Sequence, residues 1–221
     1  MSYPWYKSRS NQDKISQGDI ILGLVVPAPQ FDAESQSLMK TAYKRKNVIV
    51  MTQACDLEQE KVDFVKVCEL VPLNSYIENE LILSVLDSRK QGIEDLADID
   101  KSPIHIDYNK KRKSIDKLLN KLRSGGFLDL YLLNEENQIG IMDAHIVNLR
   151  KEYILPYKSL KSFIEKNNKE RLSLQPPYRE HLNQAYVNLY SRIGLPQDIK
   201  VEKFNLQYNN DFKYDNWKNL L

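Results

Sequence analysis

The chain has 221 residues, 42% of them hydrophobic, with 13 Tyr, 6 Phe and 2 Trp, which is enough apolar surface for a core and too much for wholesale disorder. Lys and Arg number 32 against 30 Asp and Glu, so no global field draws the chain to nucleic acid or an anionic membrane, and any basic site is local. No stretch reaches the ~20 apolar residues of a membrane span, residues 1–14 lack the apolar run of a signal peptide, and Cys55 and Cys68 with three histidines make neither a disulfide framework nor a structural zinc site.

Residues 1–17 read as a polar N-terminal arm anchored by Tyr3, Trp5 and Tyr6. Gly18-Asp19 opens an apolar run over 20–26, a buried strand that Pro27-Ala28-Pro29 is expected to end. A polar connection follows over 30–43, with a helical turn expected around 37–43. Residues 48–52 and 64–71 read as further strands, the second stopped by Pro72. Ile77, Leu81, Ile82 and Val85 fall at helical spacing, which predicts a helix over 75–86. A second helix is predicted over 108–123, with Ile115, Leu118, Leu119 and Leu122 on one face and Ser124-Gly125-Gly126 at its end. Strands return at 127–133 and 139–149, joined by a hairpin turn at 134–137, and 153–155 adds a short one. The C-terminal part reads as helical. One helix is predicted over 157–166. Another runs from Pro176-Pro177 across 178–193, closed by Gly194-Leu195-Pro196. The aromatic and Asn-rich tail 204–221 is expected to dock on the domain or on a partner.

Runs of strands separated from runs of helices predict an α+β domain. Five or six short strands fit a small, strongly bent barrel. The division expected is an arm over 1–17, a barrel over 18–156 with a helical insertion about 75–124, a helical cap over 157–203 and the tail.

Gly18-Asp19-Ile20, followed by Lys44-Arg45-Lys46 and the strand Val48-Ile49-Val50-Met51-Thr52, resembles the start of the MazF/PemK-type toxins over about residues 18–72. The resemblance implies an SH3-like barrel. Arg45 matches the basic-loop arginine of the RNA-cleaving members, without the proline that usually follows it. The later strand ends Cys68-Glu69-Leu70-Val71-Pro72, with no hydroxyl where those members carry one. Thr52-Gln53-Ala54-Cys55-Asp56-Leu57 together with Pro176-Pro177-Tyr178-Arg179-Glu180-His181-Leu182 is similar to an uncharacterised bacterial family associated with mobile-element and phage-defence neighbourhoods.

The most unusual local cluster is Thr52-Gln53-Ala54-Cys55-Asp56, directly behind a buried strand. Thr52 and Gln53 read as a binding loop. Cys55 is a nucleophile candidate, with Asp56 and His145 as its companions, although Asp56 opposes a thiolate. The plainer reading is a buried cysteine with Asp56 capping a turn. Arg179, His181 and Arg192 flank the apolar stripe of the 178–193 helix, where a guanidinium fork suits a phosphate or carboxylate. The alternative is ordinary hydrogen bonding to neighbouring elements. Residues 107–123 carry seven basic against two acidic side chains, so Lys111 and Arg112 are candidates for nucleic-acid contact, against the plainer reading of a solvated lysine face. Asp143 and His145 lie two apart and share a strand face. His105 reads as structural. There is no phosphate-binding glycine loop and no His-Glu-x-x-His or Gly-x-Ser-x-Gly motif.

These readings lead to a cytoplasmic, non-enzymatic protein-binding or regulatory module of a bacterial multi-protein system such as phage defence. It is expected to have a protein partner and no cofactor, metal or membrane contact. The alternative is an RNA- or DNA-binding protein, or a degenerate MazF-like endoribonuclease, using Arg45 and the basic 110–123 helix.

Overall fold

Val48, Ile49, Val50 and Met51 are all buried. Only a strand covered on both faces sustains such a run, and it forms the middle of the molecule. The computed structural model describes residues 4–30, 40–91, 104, 106–136, 143–167 and 170–191. In chain order the elements are β1 (Tyr6–Arg9), β2 (Asp19–Gln30), β3 (Lys40–Val50), α1 (Ala54–Glu58), β4 (Phe64–Pro72), α2 (Leu73–Lys90), α3 (Tyr108–Arg123), β5 (Leu130–Leu133), β6 (His145–Pro156), α4 (Tyr157–Asn167), β7 (Arg171–Leu174) and α5 (Tyr178–Tyr190). The strands make one antiparallel sheet in the order β1-β7-β2-β3-β4-β6-β5. The class is therefore α+β, and the sheet is open, with β1 and β5 as its edges.

Each face of the sheet has its own core. Alternation sends Val48, Val50, Val65, Val67, Leu24 and Val26 to one side, where α1 adds Leu57 and α4 adds Tyr157, Leu160 and Ile164. It sends Ile20, Ile49, Met51, Cys68 and Leu70 to the other side, where Leu182 of α5 closes over them with Ala185, Tyr186 and Leu189 packed around. Full burial of a leucine such as Leu160 or Leu182 contributes about 1.5–3 kcal/mol. The helix α2 lies against β4 and β6, and α3 lies against β5. Leu81 and Leu122, one on each of these two helices, are buried.

Several expectations are corrected. The strand begun at residue 20 does not stop at Pro27 but continues to Gln30. Pro27 and Pro29 lie opposite Tyr43 and Thr41, and the intervening pairs Val26↔Lys44 and Ala28↔Ala42 carry the ladder, so neither missing N–H is needed. The partner strand begins at Lys40, where the sequence predicts a connection and a helical turn; residues 31–39 lie outside the described residues. The 1–17 arm contains β1, and the helical C-terminal part contains β7, paired with both β1 and β2. Both strands are only four residues long: β1 has no apolar alternation, and β7 alternates Arg171 and Ser173 with Leu172 and Leu174 over too few residues to stand apart from the helices around it. The long strand expected over 139–149 and the short one over 153–155 are one strand, β6, with an irregularity opposite Cys68 and Glu69; residues 139–142 lie outside the described residues. The cap at 194–196, the tail 204–221 and His105 lie outside the described residues.

Candidate functional site

The β2–β3 hairpin extends past the strands that flank it. The strand β7 meets β2 only at Asp19 and Ile20, and β4 meets β3 only from Asn47 to Val50. Among the described residues, 24–30 and 40–46 therefore pair only with each other, as a two-stranded ribbon. The ribbon departs from the sheet at a bulge between Ile21 and Leu24. Gly23 occupies it with φ +66° and donates its N–H to Asn47 Oδ1 at 3.0 Å. Such a bulge needs a left-handed residue, which glycine supplies without a Cβ penalty.

One face of the ribbon begins on the core with Leu24 and Val26, while Val25, Tyr43 and Arg45 stand on the other face, exposed. Tyr43 keeps 71% of its surface open to solvent. Lys44 is exposed as well. Lys46 is not free: its Nζ lies 2.6 Å from Glu69 Oε1 on β4, with Lys151 at 3.7 Å from the other oxygen. The hydrogen bond to Glu69 raises the Lys46 pKa against the opposing effect of burial. Residues 24–30 and 40–46 include Lys40, Lys44, Arg45 and Lys46 and no acidic side chain.

The Thr52–Asp56 cluster departs from the plainer reading of a buried cysteine beside a capping aspartate. Thr52 Oγ1 accepts the Lys66 N–H at 2.8 Å and so ties the end of β3 to β4. Cys55 is exposed, not buried. Its Sγ lies 3.8 Å from both Gln53 Oε1 and Asp56 Oδ1, and neither acceptor stabilises a thiolate. Asp56 sits inside the first turn of α1 and does not cap it; the N-cap is Gln53, without a side-chain bond. Leu57, not Cys55, turns inward to the core. The buried thiol is Cys68, whose pKa is pushed up to about 12 by burial and then by Glu152.

Neither His145 nor His181 bonds to this cluster. The ring Nδ1 of His145 lies 2.6 Å from the Asp143 backbone carbonyl, so the pair expected from their spacing is made through the main chain and not the carboxylate. On α5, Arg179 bonds the adjacent Glu180 through Nε at 3.0 Å and Nη2 at 2.6 Å, which occupies the fork proposed for an anion. His181 is exposed on the same helix, and Arg192 lies outside the described residues. On α3, Lys111 is half-buried along the apolar stripe and Arg112 is exposed. Lys110, Lys113, Lys117 and Lys121 are exposed at steps of three and four residues, which places them on one face. The Lys121 ammonium also sits 4.1 Å over the Phe127 ring.

Sequence reasoning missed two features. One is a buried ion pair: Arg171 Nε donates to Asp19 Oδ2 at 2.8 Å, and its other nitrogens bond the Ser10, Asp13 and Lys14 carbonyls. It pins the 10–14 loop to the sheet. The aspartate of Gly18-Asp19-Ile20 is thus structural. The other is Tyr43, whose only signal was an aromatic beside Lys44-Arg45. A pocket of mixed charge is lined by Asp13, Lys14, Glu60, Tyr157 and Lys161 among others. Among the described residues no group of three His, Cys, Asp or Glu is placed to hold a metal ion, and no helix is long and apolar enough to cross a membrane. Compared with protein-family models, curated proteins and solved structures, the chain finds no match in any of the three.

Proposed function

We propose that the chain is a non-enzymatic protein-binding module of a bacterial multi-protein system, with phage defence as the setting its sequence resemblance suggests and the cytoplasm as its place of work. The surface it presents is the β2–β3 ribbon. One observation supports this reading above the others. The ribbon leaves the sheet at a defined bulge and carries Tyr43, Lys44 and Arg45 exposed, with no core-packing role for these side chains. Aromatic and arginine side chains are the residues most enriched at interface centres. The thiol candidate supports an enzyme less well, because Asp56 stands where a cation is needed. An SH3-like barrel, opened along one seam, belongs to the same proposal. It is supported by contacts across that seam: the Tyr6 hydroxyl bonds the Asn134 carbonyl at 2.7 Å, and Glu136 Oε2 accepts the Trp5 N–H at 2.7 Å.

The test is affinity capture of the tagged full chain from native cells, with cross-linking and mass spectrometry. A stoichiometric protein partner is expected with the wild type and lost with Lys44→Glu/Arg45→Glu. Recovery of free chain alone, or a partner indifferent to the charge reversal, overturns the reading.

The line of Lys110, Lys113, Lys117 and Lys121 favours a second reading, nucleic-acid binding along α3. Four phosphate contacts on a single strand give log K a slope of about −3 against log salt. A gel shift with a 30-nucleotide RNA across a salt series measures it. Binding that ignores salt, or none, removes this reading.

A further inference from the structure

The backbone of the ribbon shows which of its two edges is open. Within a strand, N–H and C=O point to one side and alternate from residue to residue. The Met51 N–H donates to Lys66 O on the β4 side at 2.9 Å, and Val50 O accepts from Gly18 N on the β2 side at 2.9 Å. Counting back along β3, residues 49, 47, 45, 43 and 41 face the β4 side. The ladder agrees, because Tyr43 and Thr41 lie opposite Pro27 and Pro29, which have no N–H to exchange.

The strand β4 covers that side only as far as Asn47↔Leu70. The next β4 residue whose N–H would face β3 is Pro72, which has none, and α2 begins at Leu73. No described strand pairs with the outward groups of Arg45, Tyr43 and Thr41. On the opposite edge the outward positions are Val25, Pro27 and Pro29, so two of three donors are missing. Proline on an edge is a standard block to strand addition. One edge of the ribbon is closed and the other is competent.

Charge selects the occupant. Lys44 and Arg45 are exposed on opposite faces, and the ribbon has no acidic residue to balance them. A second copy of the chain docking edge to edge would bring these cations alongside their own kind, which disfavours self-pairing. We propose that the β3 edge over 41–45 receives an extended, acidic segment of a partner protein as an added strand. Main-chain bonds to Thr41, Tyr43 and Arg45 would give affinity, and carboxylates beside Lys44 and Arg45 would give specificity. This rests on the ribbon being the binding surface.

Hydrogen exchange of the full chain checks the premise: the Tyr43 and Arg45 amides should exchange at least tenfold faster than those of Ala42, Lys44 and Lys46. A random nine-residue peptide library displayed on phage is then panned against the full chain. Sequences that alternate acidic with β-branched residues should be enriched, and the synthetic peptides should slow exchange at Tyr43 and Arg45. Tyr43→Pro removes an edge donor while leaving the bonded pairs Val26↔Lys44 and Ala28↔Ala42, and it should weaken binding at least tenfold. Tyr43→Thr keeps the N–H and sets the side-chain share; Thr41→Pro replaces Tyr43→Pro if the latter does not fold. No enrichment over Tyr43→Pro, or enrichment of basic or helical peptides, overturns the proposal. Binding lost in Lys44→Glu/Arg45→Glu but intact in the proline variants keeps the ribbon as the surface and rejects strand addition. Binding that survives both sets rejects the surface as well.

Discussion

Arg171 and Asp19 show how one residue pair organises a region that its own sequence does not pattern. The two are far apart in the chain and almost fully buried. Asp19 Oδ1 has no hydrogen bond, and Arg9 Nη1 lies 4.0 Å from it. Removing one member of such a pair leaves an uncompensated buried charge, which costs about 3–5 kcal/mol. Arg171→Met should lower stability to urea by that amount and expose the 10–14 loop to limited proteolysis; a loss under 1 kcal/mol would mean that water or Arg9 carries Asp19. Gly18 beside it has φ +84°, and a Cβ there would lie 3.1 Å from the Leu174 Cβ. Gly18→Ala should cost about 1–2 kcal/mol from the left-handed backbone alone, measured by thermal melting.

Among the elements, α4 and α5 do equivalent work on opposite faces of one sheet. Leu160 and Leu182 belong to different cores. Leu160→Ala and Leu182→Ala should each cost about 2–5 kcal/mol through the cavity left behind. Because the two side chains belong to separate cores, the double variant should sum to within about 0.5 kcal/mol. Strong coupling in denaturant titrations would argue that the cores communicate through the sheet. The helices α3 and α4 were legible because their apolar residues recur at helical spacing. The extent of β2 was not, because proline in a strand is read as a stop unless one knows which edge its nitrogen faces.

For the whole molecule, burial sets an alkaline limit. Cys68 is raised from 9.0 to about 12, chiefly by burial and then by Glu152. Burial first, then Tyr178, also pushes Tyr131 up to about 12. Tyr76 reaches about 12 through burial and Glu80. In each case the unfolded chain releases its proton at lower pH than the folded one, so stability is full below the unfolded pKa and falls as pH rises through the folded pKa. Melting temperature should decline from pH 9 toward pH 12, and Cys68→Ala should flatten the first part of that decline relative to its own value at pH 8. An unchanged profile would place Cys68 in contact with solvent. The contact that Tyr6 of β1 makes with Asn134, just beyond β5, is a second feature of this scale. Tyr6→Phe deletes the bond to the Asn134 carbonyl and should cost about 0.5–1.5 kcal/mol, read from denaturant midpoints.

The sequence by itself determined the α+β class, the apolar strands around residues 20, 48 and 65, and the amphipathic helices α3 and α4, because local periodicity encodes which face of an element is dry. It also marked Arg45 and Cys55, although not their surroundings. Only the tertiary structure decided that Cys55 is exposed and Asp19 buried, that two four-residue stretches complete the sheet, and that β3 runs on beyond its neighbour. Burial and pairing depend on residues far away in the chain, and a backbone group left facing an empty edge has no signature in the side chains that carry it.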